Sequence, residues 1–381
     1  MAASYSTFFS GQTVDERLIE TKGRTSGFDV LRISLAVAVL GWHSVVTTYG
    51  SSFEREVWNG PFRGLVCLIL PTFFALSGFL VAGSLFRTKS LLEFAALRGI
   101  RIFPALVVEI TISALILGSL LTSFDLATYF SDGKFWIYLL NVVGWIHYQL
   151  PGLFLTNPKP EFVNLSLWTV PYELECYVGL IVLACLSLIR RPKAFLAFVI
   201  ALNLLLPVFD YYTGSGFSRI NRPPGRLLVI CFLAGVSFYL LRDRIRLNAG
   251  FFVAALIVSL FLVGRRDTIY LAPFPVAYVT VYFGLLELPR IPVLMRGDYS
   301  YGIYLYAFPM QQTFAFLFPA HLHWWLNIAF ALTMSLLCAM FSWAFIEKPI
   351  LLRKRTIVAQ IERTVALCLR MVVGRAVPPP A

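Results

Sequence analysis

Apolar stretches of about twenty residues recur along almost the whole chain, and short clusters of lysine and arginine separate them. Leu31 to Val46, Ile102 to Leu121 and Phe251 to Val263 are examples. A hydrocarbon layer ~30 Å thick needs about 20 apolar residues to be crossed as a helix. Composition points the same way, since 58% of the 381 residues are hydrophobic and 14% are charged. A soluble domain carries roughly 25% charged residues to face water. The expected fold is therefore an all-α integral membrane bundle.

By this measure spans lie near 27–48, 62–86, 102–122, 165–189, 194–210, 226–241, 249–263, 269–286, 299–318 and 323–346. They form a domain over 27–350, between a segment 1–26 and a basic tail 351–381 that is partly amphipathic and ends in Pro378-Pro379-Pro380. The first ~25 residues lack the apolar core of a cleavable signal, so the first span is expected to act as its own insertion signal. Basic segments set the orientation. Lys22 to Arg32, Arg87 to Arg101, Arg190 to Lys193, Arg242 to Arg246, Arg290 to Arg296 and Lys348 to Arg355 are placed in the cytoplasm, with both termini. Arg219 to Arg226 and Arg265-Arg266 oppose that bias.

The weaker apolar stretch 134–155 cannot cross once and keep both neighbouring assignments. Trp145, His147, Gln149, Pro151 and Gly152 interrupt it, which suits a re-entrant segment lining a cavity. The resulting expectation is about ten crossings plus one re-entrant segment.

The net charge of +12 sits at the ends of apolar runs rather than on a basic face with interleaved aromatics, so nucleic acid is not an expected partner. Six scattered cysteines show no ligand spacing, and neither a metal site nor a disulfide framework is expected. No internal repeat or matched pair of broken helices is evident, which argues against a transporter built of inverted repeats.

Ionisable residues inside spans mark function or pairing. Asp29, Arg32 and His43 lie in the first span. Eleven residues separate Arg32 from His43, which returns the helix to within about 20° of the same face and ~16 Å further along its axis. Both are therefore expected to look into one cavity. The plainer reading pairs Asp29 with Arg32 and leaves His43 as a core histidine. Arg98 and Arg101, in LRGIRIFPA, sit one turn apart. They suit either a topology anchor or a bidentate phosphate clamp. Glu173 and Glu175, in NLSLWTVPYELECY, fall in the outer half of a span, where Glu173 is placed to orient a basic imidazole at His43. Tyr299, Tyr301, Tyr304 and Tyr306 offer hydroxyls to a sugar, or form an interfacial belt. His321 and His323, beside Trp324 and Trp325, read as interfacial.

These pieces together resemble acyltransferase family 3, the polytopic bacterial enzymes that O-acylate surface polysaccharides, lipopolysaccharide O-antigen, Nod factors and macrolides. The matching residues are Arg32 with His43, FFALSGFL (73–80), Arg98 with Arg101, SLWTVPYELECY (166–177), FLAG (232–235), SYGIYLY (300–306) and IEKP (346–349). They occur in the family's order over 28–350, and no room remains for the SGNH-type domain of some relatives. One departure is Tyr306-Ala307, where many relatives carry histidine or tryptophan–histidine.

The resemblance implies transfer of an acyl group, often acetyl, from cytoplasmic acyl-CoA to a hydroxyl of an extracytoplasmic polysaccharide or glycolipid at the inner membrane. Acyl-CoA would be a substrate, with no permanently bound cofactor. His43 would be catalytic with Glu173, and Arg32, Arg98 and Arg101 would hold the CoA phosphates. Trp168, Tyr172, Tyr301 and Tyr304 are assigned to the acceptor. Whether His43 acts as base or carries the acyl group stays open. The competing class is a transporter or flippase of a lipid-linked sugar or acyl group.

Overall fold

The computed structural model describes residues 11–23, 25–213, 222–289, 297 and 299–374. Arg219, the segment 290–296 and the terminal prolines lie outside the described residues. Among those described, all regular structure is helical, apart from one isolated bridge between Thr13 and Arg246.

A short helix α1 (Val14–Glu20) precedes α2 (Ser26–Asn59), α3 (Arg63–Leu85) and α4 (Leu91–Leu121). After α5 (Leu126–Ser131) and α6 (Gly133–Leu139), the chain runs without long helices to a 3-10 turn, Leu165–Thr169, that opens α7 (Val170–Cys185). Then come α8 (Pro192–Thr213), α9 (Gly225–Leu240), α10 (Ala249–Gly264) and α11 (Pro273–Gly284). The chain closes with α12 (Tyr299–Leu317), α13 (Trp324–Leu352) and α14 (Lys354–Gly374).

Six helices among the described residues are long and apolar enough to cross a membrane, namely α2, α3, α4, the segment Leu165–Cys185, α8 and α13. A helix occupies each of the other four expected spans, but α9 and α10 have 16 residues and α11 only 12. The fourth, α12, has 19 residues and carries Gln311 and Gln312. Leu271, Phe261, Leu204 and Phe345 are among many large apolar side chains exposed on the bundle, as expected where lipid is the solvent.

Several boundaries differ from those read in the sequence: α4 starts at Leu91 rather than 102, and α11 covers only Pro273–Gly284 of 269–286. Two further differences shape the site. The first span does not stop at residue 48, because α2 continues to Asn59 across a kink at Gly50 (φ 76°). A Cβ there would meet Pro158 O at 2.7 Å, so the turn and the close approach both need glycine. The stretch 134–155 is helical only to Val143; Gly144 then turns left-handed and the backbone is irregular to Asn164.

The core is set by close crossings. A Cβ on Gly78 would lie 1.9 Å from Phe232 O, and one on Gly235 would lie 2.1 Å from Ala75 O. The SGF segment of α3 and the FLAG segment of α9 thus touch backbone to backbone, as small residues allow in membranes. Below them α1 ties several loops together. Val14 N donates to Ile245 O, Leu247 N to Gln12 O, and Arg242 meets Asp15 at 2.7 Å. On α14, Glu362 accepts from Ser90 Oγ of the α4 cap at 3.1 Å.

Gly78→Val should therefore force α3 and α9 apart, lowering stability by ~1–3 kcal/mol or preventing folding. Gly41→Ala, with nothing within 4 Å of the new Cβ, should be neutral or mildly stabilising. Thermal unfolding of the detergent-solubilised proteins compares the two.

Candidate active site

The 3-10 turn before α7 organises the centre of the bundle. Asn164 caps it, its Oδ1 accepting from Ser166 N at 3.0 Å. The two Nδ2 hydrogens of Asn164 go to Glu109 Oε1 on α4 (2.9 Å) and to Leu305 O on α12 (2.8 Å). Leu305 O is available because Pro309, four residues on, has no N–H to give it. Glu109 also accepts from Ser113 Oγ at 2.8 Å, while its Oε2 is buried without a partner.

The turn in turn places Ser166 and Thr169. Ser166 Oγ lies 3.4 Å from His43 Nδ1 on α2. Tyr304 Oη donates to Ser166 O at 3.0 Å and shares a 2.8 Å bond with Thr169 Oγ1. His43 is buried, edge-on to Phe308 at 5.1 Å.

Two cavities meet here. The first, about 130 Å³, is lined by Arg32, Arg98, Arg101, Glu173, Tyr301 and Tyr304 together with apolar side chains of α3. Within it Arg98 donates to Ser84 Oγ at 3.1 Å and lies against the Phe94 and Tyr177 rings. Glu173 Oε1 accepts from Tyr177 Oη at 2.6 Å. The Tyr301 hydroxyl is buried without a partner. Arg32 lies 3.9 Å from Asp29.

The second cavity, about 260 Å³, is lined by His43, Trp58, Trp168, Glu54, Lys159 and Arg222, among others. Lys159 Nζ meets Glu54 Oε2 at 2.7 Å. The Arg222 guanidinium lies 4.4 Å from the Trp168 ring centre. Leu70 and Tyr304 line both cavities.

The three arginines and Glu173 are thus brought together, but His43 is not with them. The expectation of one cavity shared by Arg32 and His43 gives way to two adjoining ones, because Tyr304, fixed by Ser166 and Thr169, stands between. Nor does Glu173 bond His43: its carboxylate goes to Tyr177, and the imidazole faces Ser166. Glu175 is exposed. Tyr172 lines neither cavity and packs edge-on against Trp168 at 5.9 Å. His323 stacks on Trp325 at 6.0 Å, away from either cavity.

Glu109, Asn164, Ser166, Glu54 and Lys159 escaped the sequence reading. Glu109 could have been found, since a carboxylate interrupts the run IFPALVVEITIS. Glu54 and Lys159 lie beyond the apolar runs; the Gly50 kink brings in the first and the clasp of Gln312 on the loop the second.

A buried basic cavity lies beside a second one that holds an imidazole, within a bundle of apolar helices of membrane-protein character. The comparisons with known proteins give its class. A family model described as "Acyltransferase domain" matches residues 25–346. The chain belongs to that family and is an acyltransferase. It is 27% identical over 338 residues to an O-acetyl transferase of Shigella phage Sf6, covering 87% of this chain and 97% of that protein. It is 28% identical over 375 residues to Nodulation protein 10 of Rhizobium leguminosarum bv. viciae, covering 89% and 97%. No solved structure matches.

Replacing Asn164 by leucine should leave Glu109 Oε1 and Leu305 O each short of a donor. Each buried group so stranded costs about 1–3 kcal/mol, moderated in membranes by alternative partners. The unfolding midpoint of Asn164→Leu should fall clearly below that of Thr333→Ala, which loses only an exposed helix-surface bond.

Proposed function

We propose that this protein is a multi-pass enzyme of the inner membrane, with both termini cytoplasmic. In this reading it moves an acyl group, acetyl by preference, from cytoplasmic acyl-CoA to a hydroxyl of an extracytoplasmic polysaccharide or glycolipid. The carrying observation is the pair of adjoining cavities, one with three guanidiniums and the other with the imidazole, sharing Leu70 and Tyr304. Ten helices cross in this reading, and the segment 134–155 re-enters from the outside, with an irregular backbone after Val143.

The arginine cavity is the donor side. Guanidiniums offer planar donor forks for phosphate oxygens, and Arg32, Arg98 and Arg101 line a single cavity. The acyl-pantetheine arm then passes Leu70 and Tyr304 to reach His43, ~16 Å beyond Arg32 along α2 by helix rise.

In the second cavity His43 acts as general base. Its unprotonated nitrogen takes the proton of the acceptor hydroxyl as the oxygen attacks the thioester carbonyl. The C–S bond breaks, the CoA thiolate leaves, and the imidazolium returns a proton to it. Ser166 Oγ beside Nδ1 supports this by holding the ring's orientation. Glu173 belongs to the donor side, where Tyr177 and the nearby arginines share its charge.

His43→Ala should abolish acylation while leaving protein level and acyl-CoA binding unchanged. Transfer measured with radiolabelled acetyl-CoA in membranes expressing the variant checks this, and wild-type transfer would remove His43 from the reaction. Loss of Arg98 or Arg101 should weaken acyl-CoA binding roughly ten- to a hundredfold, since a charge-assisted bond contributes about 1.5–3 kcal/mol. Lysine should recover only part of that, because it keeps charge but loses the planar fork. Wild-type affinity in both Arg98→Lys and Arg101→Lys would overturn the phosphate clamp in favour of a topology anchor.

A further inference from the structure

One feature of the His43 cavity takes no part in the acyl-transfer scheme, namely the ion pair of Glu54 with Lys159. Two devices place it. The Gly50 kink swings the end of α2 so that Glu54 lines the same cavity as His43, one turn past Ser51. Gln312 on α12 pins the loop that carries Lys159, donating to Lys159 O at 2.7 Å and to Phe162 O. Asn157 completes the clasp, its Nδ2 donating to Gln312 O at 2.9 Å.

A buried ion pair is a poor source of stability, because desolvating both charges offsets their attraction. The pattern of its free valences points to a ligand instead. Lys159 Nζ is occupied by Glu54 Oε2 at 2.7 Å, Ser51 Oγ at 3.1 Å and the Phe162 ring at 5.4 Å. Glu54 Oε1 accepts no hydrogen bond among the described residues. Trp58, 2% exposed and lining the same cavity, has a buried indole N–H without a partner. Around the His43 cavity, then, stand an unfilled acceptor at Glu54, the Lys159 ammonium, the Arg222 guanidinium, and the rings of Trp42 and Trp168. Hydroxyl groups both donate and accept, and pockets that orient small ligands combine aromatic walls with a few such polar groups. A pyranose ring, flat, apolar on its faces and ringed with hydroxyls, fits this set.

We propose that Glu54 and Lys159 are the acceptor-recognition element of this cavity. They bracket two neighbouring hydroxyls of a pyranose and leave a third for His43. This rests on the reading of the His43 cavity as the acceptor side. Because the pair is neutral as a unit, it selects by hydroxyl pattern and not by charge. A carboxylate that requires a hydroxyl donor rejects the deoxy analogue, since it is then left unpaired.

The test uses the full chain in lipid nanodiscs, radiolabelled acetyl-CoA, and a panel of methyl hexopyranosides with their monodeoxy derivatives. The wild type should acetylate at least one parent glycoside. Removing one of two neighbouring hydroxyls should raise its KM by roughly tenfold or more. E54Q should show the same rise for the parent, add nothing for the deoxy sugar, and keep acetyl-CoA affinity within about twofold.

Removing one partner strands a buried charge and can prevent folding, so the combined charge swap E54K with K159E is the second variant. A merely structural pair tolerates the swap and regains the wild-type acceptor KM. A recognition pair folds, binds acetyl-CoA and keeps the raised KM. Recovery of KM in the swap, an unchanged KM in E54Q, or acetylation of no pyranoside by protein that binds and hydrolyses acetyl-CoA would each overturn the proposal. Absence of acetyl-CoA binding in the wild type would remove the acyl-transfer reading beneath it.

Discussion

Asn164 is the one side chain through which the centre of this bundle is tied. Its amide makes three hydrogen bonds inside the protein: two as donor to α4 and α12, one as acceptor from the turn that opens α7. In a hydrocarbon solvent no water relieves an unpaired group, so each of these bonds is close to obligatory. Pro309 creates the vacancy at Leu305 O that one donor fills, and Glu109 Oε1 is the acceptor that the other meets. Once Asn164 is fixed, Ser166 and Thr169 follow in the same turn, and through them His43 and Tyr304. Gln311 holds α2 from the other side, donating to Leu40 O and Ser44 Oγ one turn before and beside His43. The imidazole is therefore positioned by amides on two different elements, neither of which touches it.

Much of the fold was legible because lipid imposes so coarse a rule. A helix stands at every span read from hydrophobicity; that the SGF and FLAG segments meet comes from the structure alone. What hydrophobicity could not reveal is where helices go on after the apolar run ends. α2 continues eleven residues past the expected boundary, through YGSSFEREVWN, where Glu54, Arg55 and Glu56 erase the apolar signal. That extension is folded back by one glycine, and a glycine in a polar stretch reads as a loop. The irregular backbone after Val143 was signalled by its glycine and proline, but its clasp by Gln312 was not, since the two are over 140 residues apart.

The site was legible in its charges and not in its pairings. Arg32, Arg98, Arg101 and Glu173 were marked by lying in apolar runs, and they do line one cavity. Helix rise and rotation placed His43 on the face of Arg32, which is sound for the backbone. It carried no information about Tyr304, whose side chain arrives from α12 and closes the space between them. The partnership of Glu173 with His43 failed for a related reason. Equal depth in two helices does not fix the rotation of either, and Tyr177, one turn below Glu173 on its own helix, was the nearer donor.

The divided cavity also bears on which class of chemistry suits this protein. A carrier works by opening one site alternately to either end, with its substrate held at the interface of two halves that rock against each other. Here the two ends of the polar interior differ in kind: three guanidiniums on one side, and an imidazole, an ion pair and the single Arg222 guanidinium on the other. Acyl transfer needs no single site that suits both ends, and in the proposed reaction only the reactive end of the donor passes Tyr304 while its charged body stays behind. The wall then has a use. In the proposed reaction, Tyr304, held to Ser166 and Thr169, would separate a thioester in the arginine cavity from water on the acceptor side and so suppress its hydrolysis until the acceptor is in place.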